Sequence, residues 1–140
     1  RDSSGRRGSV VNIGSVLASH PSPRFFDTIA YAASKGAVQS LTLAAAARHA
    51  VDGIRFNLIA PGLIDTPMAA RAVSDPDILS YLRGKQPLSA SPGQPADVAE
   101  AVLYLASPAS AFVTGVILEV DGGWHLSEGS VPDRPLTPLS

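Results

Sequence analysis

The amino-acid sequence predicts an α/β fold built on a parallel sheet. Three short runs rich in β-branched residues, each followed by a Gly or Pro turn signal, alternate with two longer segments rich in Ala and Leu. This strand–helix–strand–helix–strand order is typical of parallel strands joined by right-handed helical crossovers. The 140 residues allow one compact domain, and a hydrophobic fraction of 45% is ordinary for a globular core.

The first strand is predicted over residues 9–14. Val10, Val11 and Ile13 supply the β-branched side chains, and the Gly-Ser pair at the end of the run stops it. Residues 1–8 are polar and contain both Gly and Arg. We therefore expect them to form a solvated lead-in.

The first helix is predicted from Ala30 to about Val51, where Ala and Leu dominate and Pro is absent. Gly53 supplies the expected stop, because glycine tolerates the left-handed conformation that often ends a helix. The second strand is predicted over residues 54–60, since the Pro-Gly pair at 61–62 cannot continue it.

Residues 66–94 are predicted to form a polar excursion with one short helix near residues 78–82. Pro95 suits the first turn of a second long helix, and Asp97 and Glu100 place negative charge near its positively polarised start. Six side chains of the excursion are candidates for lining an apolar substrate pocket, with ordinary core packing as the alternative for each: Met68, Ile78, Leu79, Tyr81, Leu82 and Leu88.

The third strand is predicted over residues 116–120, and the Asp-Gly-Gly turn at 121–123 closes it. Residues 125–140 are polar, contain three prolines and have no hydrophobic period. They are therefore predicted to form a tail.

The balance of charge argues against several kinds of partner. Eleven basic and 12 acidic residues give a net charge of -1, so no field would gather nucleic acid or an anionic membrane. The chain has no cysteine, and His20, His49 and His125 lack the spacing of metal ligands, so no metal site is predicted. No apolar run is long enough to span a bilayer, and a cytoplasmic location is expected.

The spacing of Tyr31 and Lys35 indicates acid–base chemistry. Residues four apart lie on one face of a helix, so the phenol and the ammonium are expected side by side. A free tyrosine titrates near pH ~10, and a neighbouring cation favours the phenolate form. Tyr31 is therefore a candidate to give a proton to a carbonyl oxygen, or to remove one from an alcohol.

Two further segments are predicted to lie at the same edge of the sheet. Ligands of open parallel sheets bind outside the carboxyl ends of the strands. Ser15 follows the first strand and residues 61–66 follow the second, so both are expected to converge with Tyr31 and Lys35. Ser15 is the candidate hydrogen-bond donor to a substrate oxygen.

These segments, in this order, resemble the short-chain dehydrogenase/reductase family. The resemblance runs from about Ser9 to Trp124 and implies the last three strands of a Rossmann-like, doubly wound parallel sheet whose N-terminal half is absent. The motifs that carry it are Asn12-Ile-Gly-Ser15, Tyr31-Ala-Ala-Ser-Lys35, Pro61-Gly62-Leu-Ile-Asp-Thr66, Thr114-Gly115 and Asp121-Gly122-Gly123.

The resemblance implies an oxidoreductase that uses NAD or NADP and a small-molecule carbonyl or alcohol substrate. The catalytic residues would be Ser15, Tyr31 and Lys35. Lys35 would also hold the nicotinamide ribose, while Ile64 and Thr66 would contact the carboxamide and a nearby phosphate. The full set of implied cofactor-binding residues is Tyr31, Lys35, Pro61, Gly62, Ile64 and Thr66.

Ser15 is preferred to Ser19 as the catalytic serine because it directly ends the strand. The interval from Ser19 to Tyr31 is the more usual one in the family, so the preference for Ser15 requires a loop insertion at residues 20–27. Asn57 is expected to bond backbone groups near the Pro-Gly turn rather than to react.

The Gly-rich dinucleotide fingerprint that opens the family's domain has no match in this sequence, which begins with Arg1. We therefore expect a fragment or processed product, with residues 9–124 as the C-terminal half of the domain and little cofactor binding or turnover in isolation. Two other functions stay open: a catalytically silent interaction module, and an epimerase or lyase built on the same site.

Assembly is also implied by the resemblance. In this family the tyrosine-bearing helix commonly lies at a subunit interface, so a homodimer or homotetramer is expected of the full-length enzyme. Without an upstream partner, the first strand would expose an unpaired edge and an apolar face. The helix has one face of small residues and one Leu that suits close contact: Ala33, Ala37, Ser40, Leu41 and Ala44.

Overall fold

The computed structural model describes residues 8–128 and contains a sheet of three parallel strands. The strands are β1 (Gly8–Ile13), β2 (Ile54–Pro61) and β3 (Ile117–Val120), in the spatial order β1-β2-β3. Each strand boundary lies within one residue of its predicted position. The predicted α/β fold with a parallel sheet is confirmed.

The two ends of the chain are described only in part. Gly8, predicted as the last residue of the lead-in, already belongs to β1. The rest of the predicted lead-in, 1–7, and residues 129–140 of the predicted tail lie outside the described residues. Residues 124–126 form a 3-10 turn, and Lys85 Nζ donates to the Ser127 carbonyl at 2.5 Å. Ordered contacts with α3 therefore continue to Ser127, within the predicted tail.

Four helices lie within residues 8–128: α1 (Ile29–His49), α2 (Ala70–Val73), α3 (Pro76–Lys85) and α4 (Pro95–Ala106). A single 3-10 turn continues α1, and Gly53 then adopts a φ of +70°. This is the left-handed conformation that glycine adopts at low cost, so the predicted stop of the first helix is confirmed.

The connection from β2 to α4 contains more helix than predicted. The sequence predicts one short helix near residues 78–82, whereas α3 has 10 residues and α2 precedes it. The Asp75 carboxylate accepts hydrogen bonds from the backbone N–H groups of Asp77 and Ile78, at 2.9 and 3.3 Å. Pro76 takes the first helical position, where its missing N–H has no consequence. The Asp75-Pro76 pair is thus a helix-start signal, which is hard to recognise in the sequence because the surrounding segment is polar.

The start of α4 agrees with the prediction. Pro95 occupies the first turn, and the Gln94 N–H donates to the Asp97 carboxylate at 2.7 Å. This bond satisfies one of the N–H groups that a helix start leaves without an intrahelical partner.

The two long helices cover opposite faces of the sheet. The Asn12 side chain donates to Thr42 Oγ1 on α1 at 2.9 Å, whereas Ser9 Oγ donates to the Leu105 carbonyl on α4 at 2.8 Å. Positions 9 and 12 point to opposite faces, because side chains alternate along a strand.

The positions of the helices determine the handedness of the crossovers. The strands step in one direction from β1 to β3, so two crossovers on opposite faces have opposite hands. The expectation that both are right-handed is therefore wrong for one of them. The connection from β2 to β3 differs from a simple βαβ unit, because the chain passes through α2 and α3 before α4 packs on the sheet.

The core is centred on the carboxyl half of β2. Leu58, Ile59 and Ala60 are at most 3% exposed, because β2 pairs with a strand on each side. Leu82 of α3 and Trp124 belong to the same cluster as Leu58 and Ala60. Fully burying a large aliphatic side chain contributes roughly 1.5–3 kcal/mol, so this cluster is a principal source of stability.

The strand β1 lies at the edge of the described sheet, with Val10 36% and Ile13 44% exposed. The expected open edge is thus seen in the described sheet, whereas Val10 and Ile13 point to opposite faces and form no single exposed apolar face. Within residues 8–128, no helix has both the length and the apolar character needed to cross a lipid bilayer.

Asp121 organises the turn after β3. Its carboxylate accepts the backbone N–H groups of Gly123 and His125, at 2.9 and 2.8 Å, and lies 2.7 Å from His125 Nδ1. Burial alone would raise the pKa of Asp121. These hydrogen bonds and the neighbouring imidazole favour the charged form and hold the pKa below its ordinary value.

The substitution Asp121→Asn is expected to lower the free energy of unfolding near neutral pH by about 1–3 kcal/mol, because an NH2 group would face an N–H donor. A depressed pKa stabilises the fold above the ordinary aspartate pKa, and this contribution is lost as the pH falls through the folded-state value. Urea unfolding should show the gap between variant and parent narrowing below about pH 4. The exposed Asp27→Asn is the control, and a gap independent of pH would contradict the prediction.

Candidate active site

A cleft of about 550 Å³ opens at the carboxyl end of the sheet. Its walls come from the end of β1, the start of α1, the loop after β2, and the first residues of α4. The structure brings all the predicted site residues to this cleft: Ser15, Tyr31, Lys35, Pro61, Gly62, Ile64 and Thr66. Segments far apart in the sequence therefore meet here, while the roles of these residues remain predictions.

Ser15 follows β1 and is 8% exposed. Its Oγ accepts a hydrogen bond from the Leu17 N–H at 3.2 Å and so begins a short 3-10 turn. Because this bond uses the oxygen as an acceptor, the hydroxyl hydrogen stays available for donation. Ser15 can therefore donate a hydrogen bond to an oxygen atom bound in the cleft.

Ser19, the alternative serine, does not line the cleft. It is exposed, and its Oγ lies 3.1 Å from His20 Nδ1. The loop that follows packs against α3, with Ser22 Oγ 2.6 Å from the phenol oxygen of Tyr81. The geometry thus favours Ser15, and residues 20–27 form the loop between β1 and α1.

Lys35 is held by the backbone of β1. Its Nζ donates to the Ile13 carbonyl at 3.1 Å and lies 5.6 Å from the centroid of the Tyr31 ring. This hydrogen bond joins α1 to the end of the edge strand and restrains the ammonium beside the aromatic ring. The sequence does not predict this anchor, because the two residues belong to different elements.

Tyr31 lies one helical turn before Lys35 and is 39% exposed in the wall of the cleft. Within residues 8–128, no hydrogen bond occupies its phenol oxygen. The hydroxyl group is therefore free to exchange a proton with a ligand.

The loop 61–66 is held on both sides by backbone hydrogen bonds. The Gly62 N–H donates to the end of β3 at 3.1 Å. The Leu63 carbonyl accepts from the Gly93 N–H at 2.9 Å, and the Asp65 N–H donates to the Gly93 carbonyl at 2.8 Å. The loop therefore presents its side chains to the cleft from a restrained backbone.

Glycine is required at position 62 because neighbouring groups approach closely. A Cβ atom there would lie 2.6 Å from Gln86 Oε1, 3.0 Å from the Asp121 Cα and 3.1 Å from the Asp121 carbonyl oxygen. The sequence predicts this glycine only as a strand terminator, whereas the packing gives it a second role.

Trp124 forms an apolar wall of the cleft that sequence reasoning missed. It is 2% exposed, its Nε1 donates to the His20 carbonyl at 3.2 Å, and its ring centroid lies 5.7 Å from that of Phe26. Arg71 of α2 also lines the cleft and adds a second positive side chain. A lone Trp directly after the Asp-Gly-Gly turn was the only available signal.

The predicted set of pocket-lining side chains is mostly wrong. Met68 lines this cleft, whereas Leu88 is 87% exposed outside it. The apolar face of α3 turns the other members toward the core instead, because their spacing matches the helical period. Those members are Ile78, Leu79, Tyr81 and Leu82.

Asn57 bonds backbone groups, as expected, but these belong to the segment before β3 and not to the Pro-Gly turn. It is fully buried, its Oδ1 accepts the Val116 N–H at 3.1 Å, and its Nδ2 donates to the Val113 carbonyl at 3.0 Å. These bonds use both polar atoms of the amide and join β2 to the segment that leads into β3.

The fold and the cleft together define an α/β protein with a cleft at the carboxyl edge of a parallel sheet. The family described as enoyl-(acyl carrier protein) reductase matches residues 2–125. The chain belongs to the short-chain dehydrogenase/reductase family, as the motifs predicted.

Individual relatives agree with this assignment. Galactitol 2-dehydrogenase (L-tagatose-forming) of Cereibacter sphaeroides is 42% identical over 118 residues, covering 84% of this chain and 45% of the relative. A gluconate 5-dehydrogenase from Burkholderia cenocepacia J2315, solved with NADP and tartrate, is 36% identical with a TM-score of 0.80, covering 89% of this chain and 47% of that one. A 4-hydroxyisoleucine dehydrogenase solved with NADH is 34% identical with a TM-score of 0.81, covering 89% and 50%. The chain spans about half the length of the relatives it matches.

The substitution Gly62→Ala is expected to lower the free energy of unfolding by about 1–3 kcal/mol, because the Asp121 backbone cannot move away as a flexible side chain could. Gly36→Ala is the matched control. Gly36 lies inside α1 with open space around it, so alanine should raise stability there by about 0.5–1 kcal/mol. Thermal and urea unfolding of both variants measure the difference, and equal effects would contradict the packing argument.

Proposed function

We propose that this chain carries the catalytic site of an NAD- or NADP-dependent oxidoreductase that interconverts a small-molecule carbonyl and the corresponding alcohol. The observation that supports it most directly is the meeting of Ser15, Tyr31 and Lys35 in one cleft at the carboxyl edge of the sheet. The named relatives are dehydrogenases of galactitol, gluconate and 4-hydroxyisoleucine, which are all small hydroxylated molecules.

In this proposal Tyr31 exchanges the proton. During reduction its phenol gives a proton to the carbonyl oxygen, and during oxidation the phenolate removes one from the alcohol. Lys35 places its ammonium 5.6 Å from the centroid of the Tyr31 ring, where its bond to the Ile13 carbonyl holds it. Ser15 donates a hydrogen bond to the same substrate oxygen, and this stabilises the negative charge that develops there.

The cleft has groups that fit the nicotinamide end of the cofactor. Lys35 Nζ and the Thr66 hydroxyl supply polar contacts for a ribose and a carboxamide or phosphate, and Ile13 and Ile64 supply apolar surface for a ring. A bound nicotinamide would accept or supply the hydride. The residues of this chain would orient the nicotinamide and keep its ring against the side chains of Ile13 and Ile64.

The cofactor's other half has no binding turn in this sequence, because these 140 residues contain no Gly-rich fingerprint. We therefore expect the purified 140-residue chain to bind NAD(H) and NADP(H) poorly. The functional tests should therefore use the native protein that contains this sequence. This protein is to be isolated from its source, and its intact mass is to be determined first.

We also propose that α1 supports a homodimer or homotetramer of the native protein. Its face of small residues is exposed, and Leu41 is 61% exposed. Small side chains allow two helices to approach closely, so this face suits contact with a second copy.

Tyr31→Phe is expected to lower kcat of the native protein by at least about 100-fold, because only the proton-exchanging oxygen is removed. The measurement is oxidation of NADH or NADPH with a panel of small ketones, and reduction of NAD or NADP with the corresponding alcohols. Tyr104→Phe is the control, since Tyr104 is 45% exposed on α4 and lies outside the cleft. Turnover of Tyr31→Phe within about threefold of the parent would overturn the proposal.

Ser15→Ala is expected to lower kcat by about 10²–10³-fold, because it removes a donor to the reacting oxygen. Ser19→Ala deletes the same hydroxyl four residues further on, outside the cleft, and should leave kcat unchanged. A larger loss in Ser19→Ala than in Ser15→Ala would reverse the assignment of the two serines.

A further inference from the structure

Gln86 is a buried amide side chain to which the proposed chemistry assigns no role. It directly follows α3 and is 2% exposed. Burying an amide is costly unless its oxygen and nitrogen are both hydrogen-bonded. Its partners therefore indicate what the residue does.

Both ends of the amide bond the same backbone residue in the loop after β2. Gln86 Oε1 accepts the Leu63 N–H at 2.6 Å, and Gln86 Nε2 donates to the Leu63 carbonyl at 3.3 Å. The amide thus pairs with Leu63 as a neighbouring strand would. Leu63 lies directly before Ile64, which lines the cleft.

The same nitrogen reaches a third segment. Gln86 Nε2 donates to the Ser91 carbonyl at 2.9 Å. Two residues later, Gly93 exchanges backbone hydrogen bonds with both Leu63 and Asp65. One side chain therefore joins three segments: the end of α3, the loop 61–66, and residues 91–93, which pair with that loop.

The partners also determine the orientation and the identity of the side chain. The Leu63 N–H needs an acceptor, while the carbonyls of Leu63 and Ser91 need donors, so the amide fits in one orientation only. An ionised Glu has no donor for the carbonyls. An apolar residue leaves the Leu63 N–H without its acceptor and removes one of the two donors to each carbonyl.

We infer that Gln86 is a positioning residue for the loop 61–66. This role rests on the proposed function: Gln86 holds Leu63 so that Ile64 and Thr66 present a fixed surface to the nicotinamide end of the cofactor. It does not touch the groups that act on the substrate oxygen. Loss of its hydrogen bonds should therefore affect cofactor binding more than the chemical step.

The first test compares Gln86→Leu with Ser89→Ala in the native protein. Ser89 Oγ also donates to the Ser91 carbonyl, at 2.9 Å, but within the described residues it makes no hydrogen bond to Leu63. Fluorescence titration with NADH and NADPH should give about 10-fold weaker binding for Gln86→Leu, with kcat at saturating cofactor within about threefold of the parent. Ser89→Ala should bind both cofactors like the parent.

A second variant covers the case in which Gln86→Leu fails to fold. In Gln86→Glu the ionised carboxylate faces two carbonyl oxygens, whereas the protonated acid donates to one of them. Asp97, Glu119 and Asp121 line the small cavity beside position 86, and their negative charge also favours the protonated form. Cofactor affinity of this variant, relative to the parent, should recover as the pH falls, which a purely space-filling role would not produce.

The outcomes separate this inference from the function on which it rests. If the parent binds neither NADH nor NADPH, both the proposed function and the role of Gln86 are wrong. If the parent binds and Gln86→Leu binds equally well, or Gln86→Glu shows no recovery with pH, the role of Gln86 alone is overturned. Weaker binding with retained kcat supports it.

Discussion

The pairing of β2 with a strand on each side is the interaction on which the candidate site depends. Ile13 lies opposite Ile59, and Val120 lies opposite Pro61, so the three strands end at nearly the same level. The turns that follow them therefore meet at one edge. A slip of one residue would turn every side chain of β2 to the opposite face, and its fully buried apolar residues make such a slip costly.

Within residues 8–128, backbone groups rather than ion pairs hold Ser15, Lys35 and Gln86, which lie in or beside the cleft. Ser15 accepts a backbone N–H, Lys35 donates to a backbone carbonyl, and Gln86 bonds both backbone groups of Leu63. This matters most for Lys35. A carboxylate partner would cancel much of its field at the Tyr31 ring, whereas a neutral carbonyl restrains the ammonium and leaves its charge effective.

Features encoded within one or two helical turns could be predicted from the sequence. The spacing of Tyr31 and Lys35, the glycine stop at Gly53 and the proline start at Pro95 each need only local geometry, and the structure has them as predicted. The meeting of the site segments followed from the rule that ligands of open parallel sheets bind at the carboxyl edge that the strands share.

Contacts between distant segments could not be predicted in the same way. Gln86 bonds a residue 23 positions away, and Trp124 bonds one 104 positions away, so no local pattern in the sequence indicates either contact. The apolar residues of the excursion were assigned to the pocket because an apolar side chain suits a pocket wall and a core equally well. Whether such a side chain lines the pocket or packs in the core depends on which face α3 turns toward the core. That orientation depends on the packing of the whole domain.

The position of β1 at the edge of the described sheet affects how firmly Lys35 is held. The Ile13 carbonyl anchors Lys35, yet the strand that supplies it is paired on one side only within the described sheet, and its Val10 and Ile13 side chains are partly open to solvent. Movement at the end of β1 therefore moves the ammonium relative to the Tyr31 ring. A chain segment that pairs with this open edge would restrict the strand and the lysine together. In the function we propose, additional strands beside β1 would thus contribute to the geometry of the acid–base pair as well as to stability.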